Sequence, residues 1–197
     1  MSTALITGEG RFSYAHLTKP QPGMNGGAAK YRVTLLIPKS DTDTYNALKA
    51  AMDEAINTGI SSKWNGKRPK LLKNSPLQDG DGVKESNGEE FGPECKGCWV
   101  LRASCDEDKK PVGYKQVGKR AIPLEPSEIY SGMYGKLKVH FYPYSSSGNN
   151  GISCSLDGYL KTKDGEAFGG GAPATAADFG LEDGSADFMP ADDLGDL

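Results

Sequence analysis

The 197-residue chain carries 23 Lys and Arg against 26 Asp and Glu, a formal net charge of −3, with 26 Gly, 12 Pro and a hydrophobic share of 37%. That length holds one buried core plus appendages, and this many turn formers with so few apolar residues exclude a helical bundle in favour of short strands. No run approaches the ~20 apolar residues of a bilayer-spanning helix, and the N-terminus MSTALITGEG lacks the basic start and apolar stretch of a secretory signal, so no membrane partner is expected and the four cysteines read as reduced thiols of a cytoplasmic protein.

Residues 10–17 (GRFSYAHL) set Phe12, Tyr14 and His16 on one parity and read as a strand with an aromatic face. The Pro- and Gly-loaded stretch 19–29 is a loop, and residues 31–37 (YRVTLLI) are a buried central strand stopped by Pro38. One helix follows. Ser40 or Asp41 caps its start, Gly59 is placed to end it, and Tyr45, Leu48, Met52, Ala55 and Ile56 share a face that plugs a sheet or barrel end.

Residues 61–97 show no sustained period; their first part is basic and their second, from Asp79 to Glu94, is acidic and Gly-rich. Residues 99–105 and 112–117 read as strands of a hairpin joined by the turn-like DEDKKP. Residues 136–144 (KLKVHFYPY) alternate cleanly and return through the turn SSSGNNG into an antiparallel partner at 152–160. The expected fold is mainly β: an OB-like five- or six-stranded barrel with one helix.

The charges are unevenly spread. Residues 172–197 hold seven of the acids and none of the bases, which leaves 23 bases against 19 acids, a net of +4, in residues 1–171. A mildly basic binding domain over 1–171 is therefore followed by an acidic tail over 172–197, whose composition predicts disorder from about Gly169 onward.

Chemistry-bearing patterns concentrate in residues 136–144, where Leu137, Val139 and Phe141 face a core and thereby force Lys136, Lys138, His140, Tyr142 and Tyr144 outward. Ammonium groups meet phosphates and phenol rings stack on bases, so this face suits single-stranded nucleic acid. The basic loop Lys63, Lys67, Arg68, Lys70 and Lys73, with Trp64 as a stacking residue, forms a second patch, and Tyr14 adds a further ring. In the tail, Phe188, Leu194 and Leu197 among Asp192, Asp193 and Asp196 suit docking into an apolar pocket rimmed by basic groups on a partner protein.

Other chemistries find thinner support. Cys95-x-x-Cys98 has zinc-ligand spacing, with Cys105, Cys154 or His140 to complete a site, but a second C-x-x-C pair is missing. The calcium-loop reading of Asp79-Gly80-Asp81-Gly82 fails, because Val83 and Lys84 occupy a ligand and the glycine position. H-E-x-x-H, P-loop, G-x-S-x-G and G-x-G-x-x-G patterns are absent, so no catalytic residue, metal or cofactor is assigned. Two rivals stay open: a magnesium-dependent nuclease or recombination enzyme using Asp79, Asp81 and Glu89 or Glu90, and an interaction protein that acts through its tail without binding DNA. Self-association into a homo-oligomer is neither required nor excluded.

In order along the body, GRFSY (10–14), IPKSD (37–41), PLQDGD (76–81), YSGMYG (130–135), FYPY (141–144), GNNGI (148–152) and DGEAFGG (164–170) resemble a family of phage-encoded single-stranded-DNA-binding proteins with an OB-fold and an acidic C-terminal tail. The resemblance implies sequence-independent protection of exposed DNA during phage replication, recombination or repair in the host cytoplasm, with the tail contacting replication proteins.

Overall fold

The computed structural model describes residues 3–23, 26–146 and 148–169. Among these described residues nine strands and one α-helix follow in the order β1 (Ala4–Ile6), β2 (Gly10–Gln21), β3 (Lys30–Pro38), α1 (Thr42–Ser62), β4 (Leu77–Asp79), β5 (Cys98–Asp106), β6 (Val112–Val117), β7 (Arg120–Pro123), β8 (Tyr134–Ser146) and β9 (Asn149–Lys163). Five of them close on themselves. β2 pairs with β3, β3 with β5, β5 with β9 in parallel, β9 with β8, and β8 again with β2. Numbered by chain position, this ring runs 1-2-3-5-4-1, the closed Greek-key barrel of an OB-fold. The expected barrel is therefore present, and β1, β4, β6 and β7 extend it beyond the five or six strands read from sequence.

Alternation fills the interior. Phe12 and Leu17 of β2, Val33, Leu35 and Ile37 of β3, Leu101 of β5, Leu137, Val139 and Phe141 of β8, and Ile152, Cys154 and Leu156 of β9 are all buried in one core. Helix α1 covers one end with Leu48, Met52, Ala55 and Ile56, as its spacing predicts, and Asp41 caps it by accepting a 3.0 Å hydrogen bond from the Thr44 amide. It does not stop at Gly59. The helix runs to Ser62, and Gly59 serves packing instead: a Cβ there would stand 2.6 Å from the Trp64 ring and 2.8 Å from Pro143.

Two expectations are corrected. Residues 99–105 and 112–117 do not form a hairpin: β6 lies parallel to β9 and turns tightly into β7, whose segment Arg120–Pro123 is too short and too exposed to show a pattern. The local turn signal was outweighed by pairing with a strand some 45 residues further on. The aromatic parity of β2 is also broken. A bulge sets two residues of β2, Tyr14 and Ala15, against Val33 alone, so Phe12 is fully buried while Tyr14 is 67% exposed with φ +46°.

The cysteines serve packing. Cys105 and Cys154 lie in the barrel core, whereas Cys95 sits with Leu36 and Val100 on the outer side of the β3–β5 wall. Burial pushes the thiols of Cys95 and Cys105 up to about 11 and that of Cys154 upward too. Among the described residues, no three His, Cys, Asp or Glu side chains gather as metal ligands, and no helix is long and apolar enough to cross a membrane.

Candidate nucleic-acid interface

Strand register assembles the site. His16 of β2 stands opposite Arg32 of β3, Arg32 opposite Ser104 of β5, Ser104 opposite Ser155 of β9, and Ser155 opposite His140 of β8. Paired residues project to the same side of a sheet, so these five side chains make one outward row across all five barrel strands. Two serines form its low centre. Around them runs a groove of about 590 Å³, lined by Lys30, Asp106, Lys109 and Lys110 on one side and His140, Tyr142 and Asp157 on the other.

The charges in this groove are not equivalent. Lys30 is neutralised by Asp106 at 3.0 Å, whereas Lys109 and Lys110 on the β5–β6 loop make no ion pair among the described residues. Lys30, through its hydrogen bond, holds the Asp106 carboxyl below the ordinary carboxylate range. His140 is fixed through Nδ1, which lies 2.8 and 2.9 Å from the two Asp157 oxygens, and its ring centroid is 5.9 Å from that of Tyr142. Tyr142, 40% exposed, presents a ring at the groove edge.

The predicted residues divide into groups along β8. Lys136 and Lys138 lie at its beginning, Tyr142 at the groove, and Tyr144 near the hairpin tip; Lys136 and Tyr144 are separated by ~26 Å at ~3.3 Å per residue. The basic loop docks at the tip end. The Tyr144 hydroxyl donates to the Lys73 carbonyl at 3.3 Å and the Lys73 amide to the Asn150 carbonyl at 3.0 Å. A hollow there is lined by Leu71, Lys73, Tyr144 and Asn149. Lys63, Lys67, Arg68, Lys70 and Lys73 are exposed, and Tyr144 is half-buried over Gly151. Tyr14 stands on β2, remote from Tyr142 and Tyr144 along the strand direction, and precedes Ala15, whose amide donates to the Ser131 hydroxyl at 3.1 Å.

Trp64 is a correction. It is 6% exposed, packs against Gly59 and donates its indole N–H to the Tyr144 carbonyl, so it anchors the basic loop from inside and offers no face to a base. An aromatic residue among lysines looks exposed in sequence, and the close approach of Gly59 and Pro143 that buries it is not a local signal. Sequence reasoning also passed over Arg32, Lys109 and Lys110: the first is in a strand read only as core, and the other two are in a stretch read only as a turn.

Three of the acidic residues offered to a nuclease, Asp79, Asp81 and Glu89, are otherwise engaged. Asp79 and Asp81 both grip Lys39, at 2.5 and 2.6 Å, and Lys39 holds both carboxyls below their ordinary value. Glu89 pairs with Lys84 at 3.9 Å and accepts from Asn87 at 2.7 Å. The tail residues Phe188, Asp192, Asp193, Leu194, Asp196 and Leu197 lie outside the described residues.

Residues 3–189 match the family described as Enterobacter phage Enc34, ssDNA-binding protein. Protein p50 of Acyrthosiphon pisum secondary endosymbiont phage 1 is 32% identical over 179 residues, covering 86% of this chain and 88% of that one. Among solved structures, the single-stranded-DNA-binding protein of bacteriophage Enc34 in complex with ssDNA is similar at 30% identity and a TM-score of 0.66, over 85% of this chain and 90% of that chain. The single-stranded-DNA-binding protein gp2.5 of bacteriophage T7, 18% identical with a TM-score of 0.58 over 96% of this chain and 99% of that one, shares the fold.

Proposed function

Since the chain belongs to the family of the Enterobacter phage Enc34 single-stranded-DNA-binding protein, we propose that it binds single-stranded DNA without reading its sequence, along the outward row of the barrel. The carrying observation is that row itself: two serines leave room for bases to approach, Arg32, Lys109 and Lys110 supply positive charge, and Tyr142 supplies a stacking face. Stacking tolerates any base because every base has a π-face, and each stacked base is worth ~1–3 kcal/mol. Towards the hairpin tip the backbone continues past Tyr144 to Lys63, Lys67, Arg68, Lys70 and Lys73; Tyr14 flanks the row on β2.

The role is protection of exposed DNA during phage replication, recombination or repair in the host cytoplasm, by binding rather than catalysis. The acidic segment 172–197 recruits replication or recombination proteins through Phe188, Leu194 and Leu197 with Asp192, Asp193 and Asp196. Binding of labelled single-stranded DNA, duplex DNA and RNA at a series of salt concentrations tests the reading. For Z phosphates neutralised, log affinity falls with log salt at a slope of about −0.7Z. An affinity independent of salt contradicts it.

A further inference from the structure

The sheet does not end at the barrel. Beyond β9 it continues into the β6–β7 hairpin, residues 112–123, which contains no acidic residue. Val112 and Tyr114 of that hairpin are 54% and 41% exposed, an unusual use of large apolar side chains on a strand that joins the core only through its other face. That other face is accounted for: Gly113 lies under the Tyr159 ring, where a Cβ would clash at 2.3 Å, and Lys115 pairs with Glu128 at 2.6 Å.

Register places the exposed face beside two cations. Lys138 of β8, Gly158 of β9 and Val112 of β6 form one cross-strand row. Lys136, Leu160, Tyr114 and Pro123 of β7 form the next. Lys136 and Tyr114 are thus on the same side of the sheet and two strands apart, ~10 Å at ~4.8 Å per strand. Neither Lys136 nor Lys138 forms an ion pair among the described residues. At the root of the hairpin, Lys109 and Lys110 belong to the groove already described, so the two surfaces are continuous.

From this juxtaposition we infer that Tyr114, with Lys136 and Lys138, forms a second subsite for single-stranded nucleic acid, reached by a strand that has filled the groove. The assignment rests on the function proposed above and extends it. A ring at this distance from two ammonium groups receives a base while its neighbouring phosphates lie over the lysines, and Val112 covers the sugar between them. An apolar protein partner would gain nothing from Lys136 and Lys138 in the same rows, whereas a polyanion with flat apolar bases uses both. The exposed Lys119 and Arg120 at the hairpin tip, which form no ion pair among the described residues, prolong the positive surface.

The test is a set of affinities of the full chain for oligothymidylates of increasing length, with Tyr114→Ala, Tyr114→Phe and the double change Lys136→Ala with Lys138→Ala. Loss of one stacked base weakens Tyr114→Ala by ~5- to 150-fold on long oligomers, while the shortest bound oligomers, which fill the groove alone, keep their affinity. Tyr114→Phe behaves as the unchanged protein, and the double lysine variant lowers the salt slope on long oligomers by ~1.4. Equal affinity of Tyr114→Ala and the unchanged chain for long oligomers overturns the subsite but leaves the groove standing. Failure of the unchanged chain to bind any oligomer overturns the groove as well.

Discussion

The indole N–H of Trp64 donates to the main-chain carbonyl of Tyr144 at 3.2 Å, fastening the segment that follows α1 to the far end of β8. The ring also occupies the space that a side chain on Gly59 would need. Trp64→Ala therefore leaves a cavity and removes that hydrogen bond together, and a stability loss of about 3–5 kcal/mol in urea unfolding is expected. Trp64→Phe keeps much of the packing and loses the hydrogen bond, so it unfolds earlier by a smaller margin while its affinity for single-stranded DNA stays close to that of the unchanged protein. If affinity collapsed at unchanged stability, Trp64 would return to the interface.

How far the sequence reached differs from element to element. Residues 136–144 were legible because a strand packed on one side writes its burial into alternate positions, and Leu137, Val139 and Phe141 are indeed 0%, 0% and 1% exposed. The end of α1 was not, since Gly59 looks like a stop signal until Trp64 and Pro143 arrive beside it from outside the helix. Tyr14 kept its exposure but not its reason: alternation puts it with Phe12, and only a bulge separates them. The groove was the least visible part. Its serines and Arg32 come from β3, β5 and β9, and nothing in the sequence announces that Ser104 and Ser155 meet across a parallel pair.

The groove lysines make a quantitative expectation. Among the described residues Lys109 and Lys110 form no ion pair that must break before they meet a phosphate, whereas Lys30 must first part from Asp106. Replacing both Lys109 and Lys110 with Ala should reduce the salt slope by ~1.4 and weaken binding to all sequences alike. Lys30→Ala should change the slope much less. Salt titrations on homopolymers of different base would show it, and a slope unaffected by the double replacement would remove the β5–β6 loop from the path.

Lys39 joins Asp79 and Asp81 on the outer wall and lies 4.9 Å from the Trp99 ring centroid, which itself stacks on Tyr45 at 4.3 Å. Its hydrogen bonds lower both carboxyls from 3.8 and raise its own ammonium from 10.5. A carboxyl depressed in the folded state stabilises above its unfolded value, and that contribution disappears as pH falls through the folded one. An ammonium raised in the folded state stabilises below its unfolded value and loses that contribution as pH rises through the folded one. The difference in Tm between the unchanged protein and Lys39→Met should accordingly be flat and maximal around neutrality, shrink below 3.8 and shrink again above 10.5. Both carboxylates are exposed and the ammonium is partly so, which keeps the plateau small. A difference independent of pH would mean that Lys39 acts only through packing on Trp99.

Where the body hands over to the acidic segment, Arg11 holds the chain. Its Nε donates to the Gly132 carbonyl at 3.1 Å, its guanidinium also donates to the Glu166 carbonyl, and its planar head lies 4.0 Å from the Phe168 ring centroid and 5.7 Å from that of Tyr134. Gly132 makes this possible, with φ +116° and no room for a Cβ, which would fall 2.1 Å from the Glu166 carbonyl oxygen. Arg11→Ala should therefore loosen residues 166–169, Asp164 and Gly165 staying held by Tyr130, and accelerate chymotryptic cleavage after Phe168, with the barrel core still protected. Gly132→Ala should do the same and also lower Tm, because its backbone conformation is costly for any side chain. Arg11→Lys discriminates charge from shape: an ammonium cannot donate in a fixed fork or lie flat on Phe168, so faster cleavage is expected there too, short of the Ala variant. Cleavage at the original rate in Arg11→Lys would assign the anchoring to charge alone.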